Sequence, residues 1–228
     1  TLSKGISWFY NWGINPGLQV ANVFDQYMEY IPMAWNGVNA DGLRTFKAKH
    51  PECQYLLAFN EPNLTDQANM TPTQAAAKWP AVKAIAQELG LKIISPAMNY
   101  GTLAGYSDPI VWLDEFFTLV PLSDVDGIAV HCYMNNVSAL ESFINRFKKY
   151  NKPIWLTEFC AYEQNQGLTP DKQKDFMVEA VTYLENDPDV FRYSWFIGRN
   201  GGGDNAFPYN SLLTKNDRGV LTELGDIY

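Results

Sequence analysis

The sequence has few of the residues that build metal centres, nucleic-acid surfaces and membrane spans. It contains two histidines and three cysteines with no C-x-x-C pair, which disfavours a zinc site. Its 17 Lys and Arg are scattered and outnumbered by 25 Asp and Glu, so nucleic acid is a poor partner for it. No apolar run reaches the roughly 18 residues that a membrane helix needs. We expect no metal, no cofactor, and no nucleic-acid or membrane partner.

The cysteines do not indicate a disulfide framework. They are odd in number, and Cys132 and Cys160 each lie inside an apolar run that is typical of a strand. Disulfide frameworks belong to small secreted domains, whereas 228 residues with 46% hydrophobic content can build one sizeable core. We therefore expect buried free thiols.

Short apolar or aromatic runs alternate with amphipathic stretches along the chain. Several runs are continuously hydrophobic, as parallel strands covered on both faces require. The strand-like runs are 6–10, 30–35, 55–59, 92–98, 127–133, 153–159 and 193–197, and the helix candidates are 73–89, 111–119, 139–150 and 169–186. With no linker or low-complexity tract to divide the chain, the alternation predicts a parallel α/β fold in one domain over residues 1–228.

Two glutamates close apolar runs of similar character. Glu61 follows the run at 55–59, and Glu158 lies near the end of the run at 153–159. A carboxylate at the end of a buried run is costly to leave unpaired. Pro62 places Glu61 at the carboxyl end of its strand, where the active sites of α/β barrels form.

Paired carboxylates have a chemical use in glycoside hydrolysis. One carboxylic acid protonates the departing oxygen, while a carboxylate opposite attacks the anomeric carbon or activates water. A structural ion pair and an inward-facing metal ligand are the alternatives that spacing alone leaves open.

Several motifs resemble those of the clan A glycoside hydrolases. Asn60-Glu61-Pro62 resembles the Asn-Glu-Pro signature of the clan, and Thr157-Glu158-Phe159 resembles its nucleophile strand. The ordered set resembles glycoside hydrolase family 128, whose members are small-barrel β-1,3-glucanases. The motifs of this set are Trp8-Phe9-Tyr10-Asn11-Trp12, Pro32-Met33-Ala34-Trp35, Asn60-Glu61-Pro62-Asn63, His131-Cys132-Tyr133, Trp155-Leu156-Thr157-Glu158-Phe159 and Ser211-Leu212-Leu213.

The resemblance implies a compact (β/α)8 TIM-type barrel and a retaining endo-β-1,3-glucanase. It makes Glu61 the acid/base and Glu158 the nucleophile, with their carboxyl groups roughly 5–5.5 Å apart. The clan separates these roles by three strands, and the strands at 92–98, 127–133 and 153–159 supply that interval. Only a weak run at 18–24 is left for a further early strand, so we expect an irregular N-terminal third.

The resemblance also implies supporting residues around the two glutamates. Asn60 would bond the 2-hydroxyl of the sugar at the cleavage point, and Trp195 would lie beneath that sugar. Tyr133 and His131, two apart on one strand, would face the nucleophile together. Further aromatic candidates for sugar subsites at strand ends are Tyr10, Trp12, Trp35, Tyr100 and Tyr162. For each of these residues, packing in the core is the structural alternative.

Other functions stay open at this point. The chain could be a clan A glycosidase for a different β-glycan, or a non-catalytic β-glucan-binding protein on the same barrel. A metal-dependent hydrolase or aldolase is disfavoured, because only His131 is placed for a metal cluster and no lysine ends a strand.

Signals for export are few. No signal peptide precedes the first apolar run, so the chain is either cytoplasmic or a mature form. N-x-[ST] sequons begin at Asn63, Asn69 and Asn136, and a glycan at Asn63 would obstruct a site at Glu61. We expect a secreted or periplasmic monomer whose partner is a β-1,3-glucan polysaccharide or oligosaccharide.

Overall fold

The structure is a computed structural model that describes residues 2, 5–17, 28–163, 167–200 and 207–228. The chain divides into two compact units. The N-terminal unit comprises residues 6–130 and 150–153, and the C-terminal unit comprises residues 1–5, 131–149 and 154–228. Each contains strands followed by helices, as the predicted α/β class requires. The weak run at 18–24 lies outside the described residues.

The N-terminal unit is built from short parallel strands and their following helices. β1 pairs in parallel with β2, and β3 pairs in parallel with β4. Its elements are β1 (Trp8–Phe9), β2 (Glu29–Tyr30), α1 (Ala40–Lys49), β3 (Tyr55–Leu57), α2 (Pro72–Leu89), β4 (Lys92–Ile94) and α3 (Pro109–Leu119).

Two prolines shorten strands in this unit. The sequence predicts strands over 30–35 and 92–98, whereas β2 and β4 end before Pro32 and Pro96. Proline has no N–H to donate to a strand ladder, so regular pairing stops there. Isolated parallel bridges resume the pairing beyond each proline, between Met33 and Leu57 and between Met98 and Val130.

The C-terminal unit carries the longer strands. β5 (Ile128–Tyr133), whose residues from His131 onward belong to this unit, is followed by α4 (Val137–Asn145) and β6 (Ile154–Cys160). α5 (Pro170–Asn186), β7 (Val190–Trp195) and α6 (Glu223–Ile227) complete the chain. The sheet order is β5-β6-β7, and every residue of β6 is buried.

Local signals explain where the helices begin and end. Thr71 and Gln74 form a reciprocal capping box at the start of α2, and Gly90 ends that helix in the left-handed conformation with φ 65°. α4 ends at Asn145 instead of continuing to 150, and a separate 3-10 turn follows over Lys148–Tyr150.

Among the described residues, no helix has the length and apolar character needed to cross a bilayer.

All three cysteines are free and buried, which confirms the prediction of free thiols. Burial raises the pKa of the Cys53 thiol to about 11, and burial also raises the pKa of the Cys132 and Cys160 thiols well above the ordinary thiol value. A thiol with a raised pKa contains little of the reactive thiolate at neutral pH.

These thiols give a direct test of the fold. We expect the native protein to be inert to Ellman's reagent at neutral pH, because the thiols are both inaccessible and protonated. After unfolding in guanidinium, all three thiols should react. Immediate reaction of any thiol in the native protein would contradict the burial described above.

Candidate active site

Glu61 lies beyond the carboxyl end of β3, and the residue is only 6% exposed. Asn60 forms a parallel bridge with Ala97 beyond β4, and the Glu61 N–H donates to the Ala97 carbonyl at 3.0 Å. The Glu61 backbone is left-handed, with φ 43°. That conformation costs a residue other than glycine on the order of 1–3 kcal/mol and is concentrated at functional sites. The fold therefore holds a buried carboxylate in a strained position at a strand end.

Two amide side chains lie around Glu61. Asn99 Nδ2 donates to Glu61 Oε1 at 3.1 Å, and Asn99 Oδ1 accepts from the Tyr100 N–H at 2.8 Å. Asn60 Nδ2 donates to Gln67 Oε1 at 3.2 Å. The buried Asn60 Oδ1 finds no hydrogen-bond partner within the part of the chain that the structure describes. A buried acceptor of this kind is rare and suits a ligand hydroxyl.

In the C-terminal unit, Glu158 projects from β6 and is also only 6% exposed. The Tyr133 hydroxyl donates a short hydrogen bond to Glu158 Oε2. His131 Nδ1 lies 3.5 Å from the same oxygen, and its side chain is fully buried. Because His131 and Tyr133 are two apart on β5, one face of that strand presents both to the carboxylate.

Four half-buried aromatic rings form a cluster in this unit: Tyr133, Tyr162, Phe196 and Phe207. The ring of Phe207 lies 4.7 Å from that of Tyr133, 5.6 Å from that of Tyr162 and 5.3 Å from that of Phe196, between ring centroids. Phe196 and Phe207 were not among the residues that the sequence predicts for the site. Phe196 directly follows β7, so its place at a strand end was a usable signal, whereas Phe207 follows a polar stretch and offered none.

Trp195, predicted to lie beneath the sugar at the cleavage point, is largely buried in the C-terminal unit. Its ring is buried against Phe159, Phe176 and Tyr228, and its indole N–H donates to the Asn210 carbonyl at 2.8 Å. This placement favours a packing role. Contact between Trp195 and a sugar stays a prediction.

The predicted aromatic residues of the N-terminal unit lie near strand ends. The rings of Tyr10 and Trp12 meet edge to face at 5.4 Å, and both are half-buried. Trp35 is half-buried, and its carbonyl accepts from the Asn60 N–H at 2.8 Å. Tyr100 is 49% exposed and follows Asn99. Their roles as subsites stay predictions.

Comparison with known proteins defines the class. The family model described as the glycosyl hydrolase catalytic core matches residues 1–228, so the chain is a glycoside hydrolase. Its structure is similar to a family 128, subgroup II, endo-β-1,3-glucanase from Pseudomonas viridiflava. The two share 41% identity and a TM-score of 0.88, over 100% of this chain and 90% of that one. The chain belongs to glycoside hydrolase family 128.

Two further relatives bear on the assignment. A subgroup I endo-β-1,3-glucanase of the same family from Amycolatopsis mediterranei, solved with laminaritriose, shares 30% identity and a TM-score of 0.76. That match covers 99% of this chain and 90% of that one. Alkali-sensitive linkage protein 1 of Schizosaccharomyces pombe is 29% identical over 235 residues, and the chain spans 41% of its length. The matches to solved structures confirm the predicted family and the TIM-type α/β fold class.

Proposed function

We propose that the chain is an endo-β-1,3-glucanase that hydrolyses β-1,3-glucan with retention of configuration. The observation that carries this proposal is the similarity, over the whole chain, to two endo-β-1,3-glucanases of family 128. The Amycolatopsis enzyme was solved in complex with laminaritriose, and variants of it with one glutamate replaced were solved with laminaripentaose and laminarihexaose. A β-1,3-linked glucan is therefore the substrate we assign.

We assign Glu61 as the general acid/base and Glu158 as the nucleophile. Both carboxyl groups are buried at strand ends, and each accepts a hydrogen bond from a neighbouring side chain. The Amycolatopsis enzyme was solved with glutamate replaced at two different positions. Those positions are separated by the same number of residues as Glu61 and Glu158, which favours the same pair here.

The proposed reaction has two steps. In the first, the Glu61 carboxylic acid gives its proton to the glycosidic oxygen, while a Glu158 oxygen attacks the anomeric carbon and the leaving sugar departs. In the second, the Glu61 carboxylate takes a proton from water, whose oxygen attacks the anomeric carbon and breaks its bond to Glu158. Proton and electron pair balance over the two steps, and Glu61 returns to its acid form.

The surroundings suit these roles. Tyr133 and His131 can hold the Glu158 carboxylate in one rotamer, because both contact its Oε2 atom. Asn60 Oδ1 is a buried acceptor without a partner among the described residues, and the 2-hydroxyl of the bound sugar would satisfy it. The carboxyl separation of roughly 5–5.5 Å that retention requires stays a prediction.

Product analysis tests the proposal. We expect laminarin and curdlan to release a ladder of laminari-oligosaccharides, because an endo enzyme cuts within the chain. Xylan and β-1,4-glucan should give background release. Proton NMR during the first turnovers should show the β-anomer before mutarotation, as double displacement demands. Initial α-anomer would contradict retention, and release of single glucose alone would contradict endo action.

We also propose a single catalytic domain over residues 1–228, supported by one family model across that range. The protein would be secreted or periplasmic, since its substrate is a polysaccharide. It would act as a monomer. Size-exclusion chromatography with light scattering tests the monomer.

A further inference from the structure

We propose that Asn99 positions the carboxyl group of Glu61 and fixes which of its two oxygens carries the catalytic proton. The inference rests on the proposed role of Glu61 as acid/base and adds a residue to it. Asn99 lies just beyond β4, and its Nδ2 donates to Glu61 Oε1 at 3.1 Å. Asn99 would not touch the sugar, so it is a positioning residue.

The orientation of the Asn99 amide is determined by its own hydrogen bonds. Asn99 Oδ1 accepts from the Tyr100 N–H at 2.8 Å. A backbone N–H can only donate, so the atom facing it must be the amide oxygen. The amide nitrogen is therefore the atom that faces Glu61, and the reversed amide is excluded.

The backbone around Asn99 is fixed by hydrogen bonds from Asn63, whose side chain is fully buried. Asn63 Nδ2 donates to the Asn99 carbonyl at 2.7 Å and to the Tyr106 carbonyl at 3.2 Å. A Cβ atom at Gly101 would lie only 2.4 Å from Asn63 Nδ2, so the close approach requires glycine. These contacts make the position of Asn99 a rigid property of the loop.

A fixed donor on one oxygen has a chemical consequence. A carboxylic acid has one carbonyl oxygen, which accepts hydrogen bonds well, and one hydroxyl oxygen, which donates. While Oε1 accepts from Asn99, the proton is on Oε2, and Oε2 is the atom that delivers it to the glycosidic oxygen. In the second step Oε2 takes the proton from water, and Oε1 keeps its bond to Asn99 throughout.

The same bond bears on acidity. A hydrogen bond to the charged form of a carboxylate favours that form and lowers its pKa. Loss of the Asn99 donor should therefore raise the pKa of Glu61. The alkaline limb of the kcat/KM profile reports the acid that must be protonated in the free enzyme, so it should move to higher pH.

Two variants test the inference. Asn99→Leu removes the donor, whereas Asn99→Asp keeps the shape and the acceptor for Tyr100 but places a carboxylate beside Glu61. We expect kcat to fall by up to about 10²-fold in both variants, because a misplaced acid transfers its proton poorly. We expect the alkaline limb to rise by about one pH unit in Asn99→Leu and by more in Asn99→Asp, because like charges repel. An unmoved alkaline limb in both variants would overturn the inference.

A second readout separates positioning from damage to the fold. An acidic phenol departs from an aryl β-laminaribioside without a proton, so release of the phenol in the first turnover should be nearly as fast in Asn99→Leu as in wild type. Tyr106→Phe is the matched control, because Tyr106 lies in the same loop and its hydroxyl donates to Glu115 at 3.0 Å. It should keep the wild-type profile. Equal losses of Asn99→Leu in laminarin hydrolysis and in this first-turnover release of phenol would contradict a positioning role.

Glu61→Gln, assayed in parallel, distinguishes the two failures. If Glu61→Gln keeps full activity on laminarin, the proposed role of Glu61 is wrong and the inference falls with it. If Glu61→Gln is inactive while both Asn99 variants keep the wild-type pH profile, only the inference is wrong. Should Asn99→Leu fail to fold, Asn99→Asp keeps the test open, and circular dichroism establishes which variants are native.

Discussion

Glu158→Gln should lower the hydrolysis of laminarin by about 10⁴-fold or more, close to the uncatalysed level. Glutamine has the shape of glutamate, so the hydrogen bond from Tyr133 and the packing of β6 can persist. Its neutral amide is too weak a nucleophile to form the covalent glycosyl intermediate, and the first step has no alternative route. Release of reducing sugar from laminarin is the measurement.

The control is Glu179→Gln, which removes an exposed glutamate on α5 and should leave activity unchanged. Glu158→Ala adds a chemical readout, because the space vacated beside the sugar can admit azide. Attack by azide from that face inverts the anomeric carbon, so an aryl β-laminaribioside should give the α-glycosyl azide. Wild-type activity in Glu158→Gln would remove Glu158 from the mechanism, and a β-azide from Glu158→Ala would contradict its role.

Glu61→Ala should show a different pattern, because it removes a proton donor and not the nucleophile. General acid catalysis contributes about 10²–10⁴-fold, so activity on laminarin should fall by that order. An aryl substrate with an acidic phenol should still form the covalent intermediate at a rate near that of wild type. Hydrolysis of the intermediate lacks its base, so the phenol should appear in a burst.

Azide should rescue the slow second step of Glu61→Ala, since an anion needs no general base. The product should be the β-glycosyl azide, the opposite anomer to the one expected from Glu158→Ala. The same anomer from both variants would show that the two roles are assigned wrongly. A loss of equal size in laminarin hydrolysis and in the burst of phenol release would contradict Glu61 as the proton donor.

Local patterns carried most of the fold prediction. The Thr71-Pro72 start and the Gly90 stop are local boundary signals, and α2 has the bounds they indicate, within one residue. α1 was missed because its buried face consists of only Leu43 and Phe46, too few for a visible periodicity. Two strands, β2 and β4, were predicted longer than they are, because the apolar runs continue past Pro32 and Pro96, whereas beyond each proline only isolated bridges continue the pairing.

The sequence reveals the two glutamates of the candidate site, but it does not reveal the contact that Asn99 makes with Glu61. Glu61 and Glu158 stand out because a charged residue at the end of an apolar run is costly and therefore informative. Asn99 ends the β4 run in the same way, but its contact with Glu61 depends on how the following loop approaches Asn63. Packing of that kind is a tertiary property, and no local pattern encodes it. For Trp195 the sequence left sugar contact and core packing open, and the rings that surround it belong to tertiary packing that no local pattern encodes.

The burial of Asn63 has a consequence for how the protein can be made. Asn63 begins a sequon, and an oligosaccharide would be attached to the same amide nitrogen that bonds the Asn99 and Tyr106 carbonyls. Attachment and the native fold therefore exclude each other at this residue. In a secretory host with N-glycosylation, chains modified at Asn63 before they fold would be lost to quality control. Expression in a host without that pathway, or replacement of Thr65, should therefore give more folded protein.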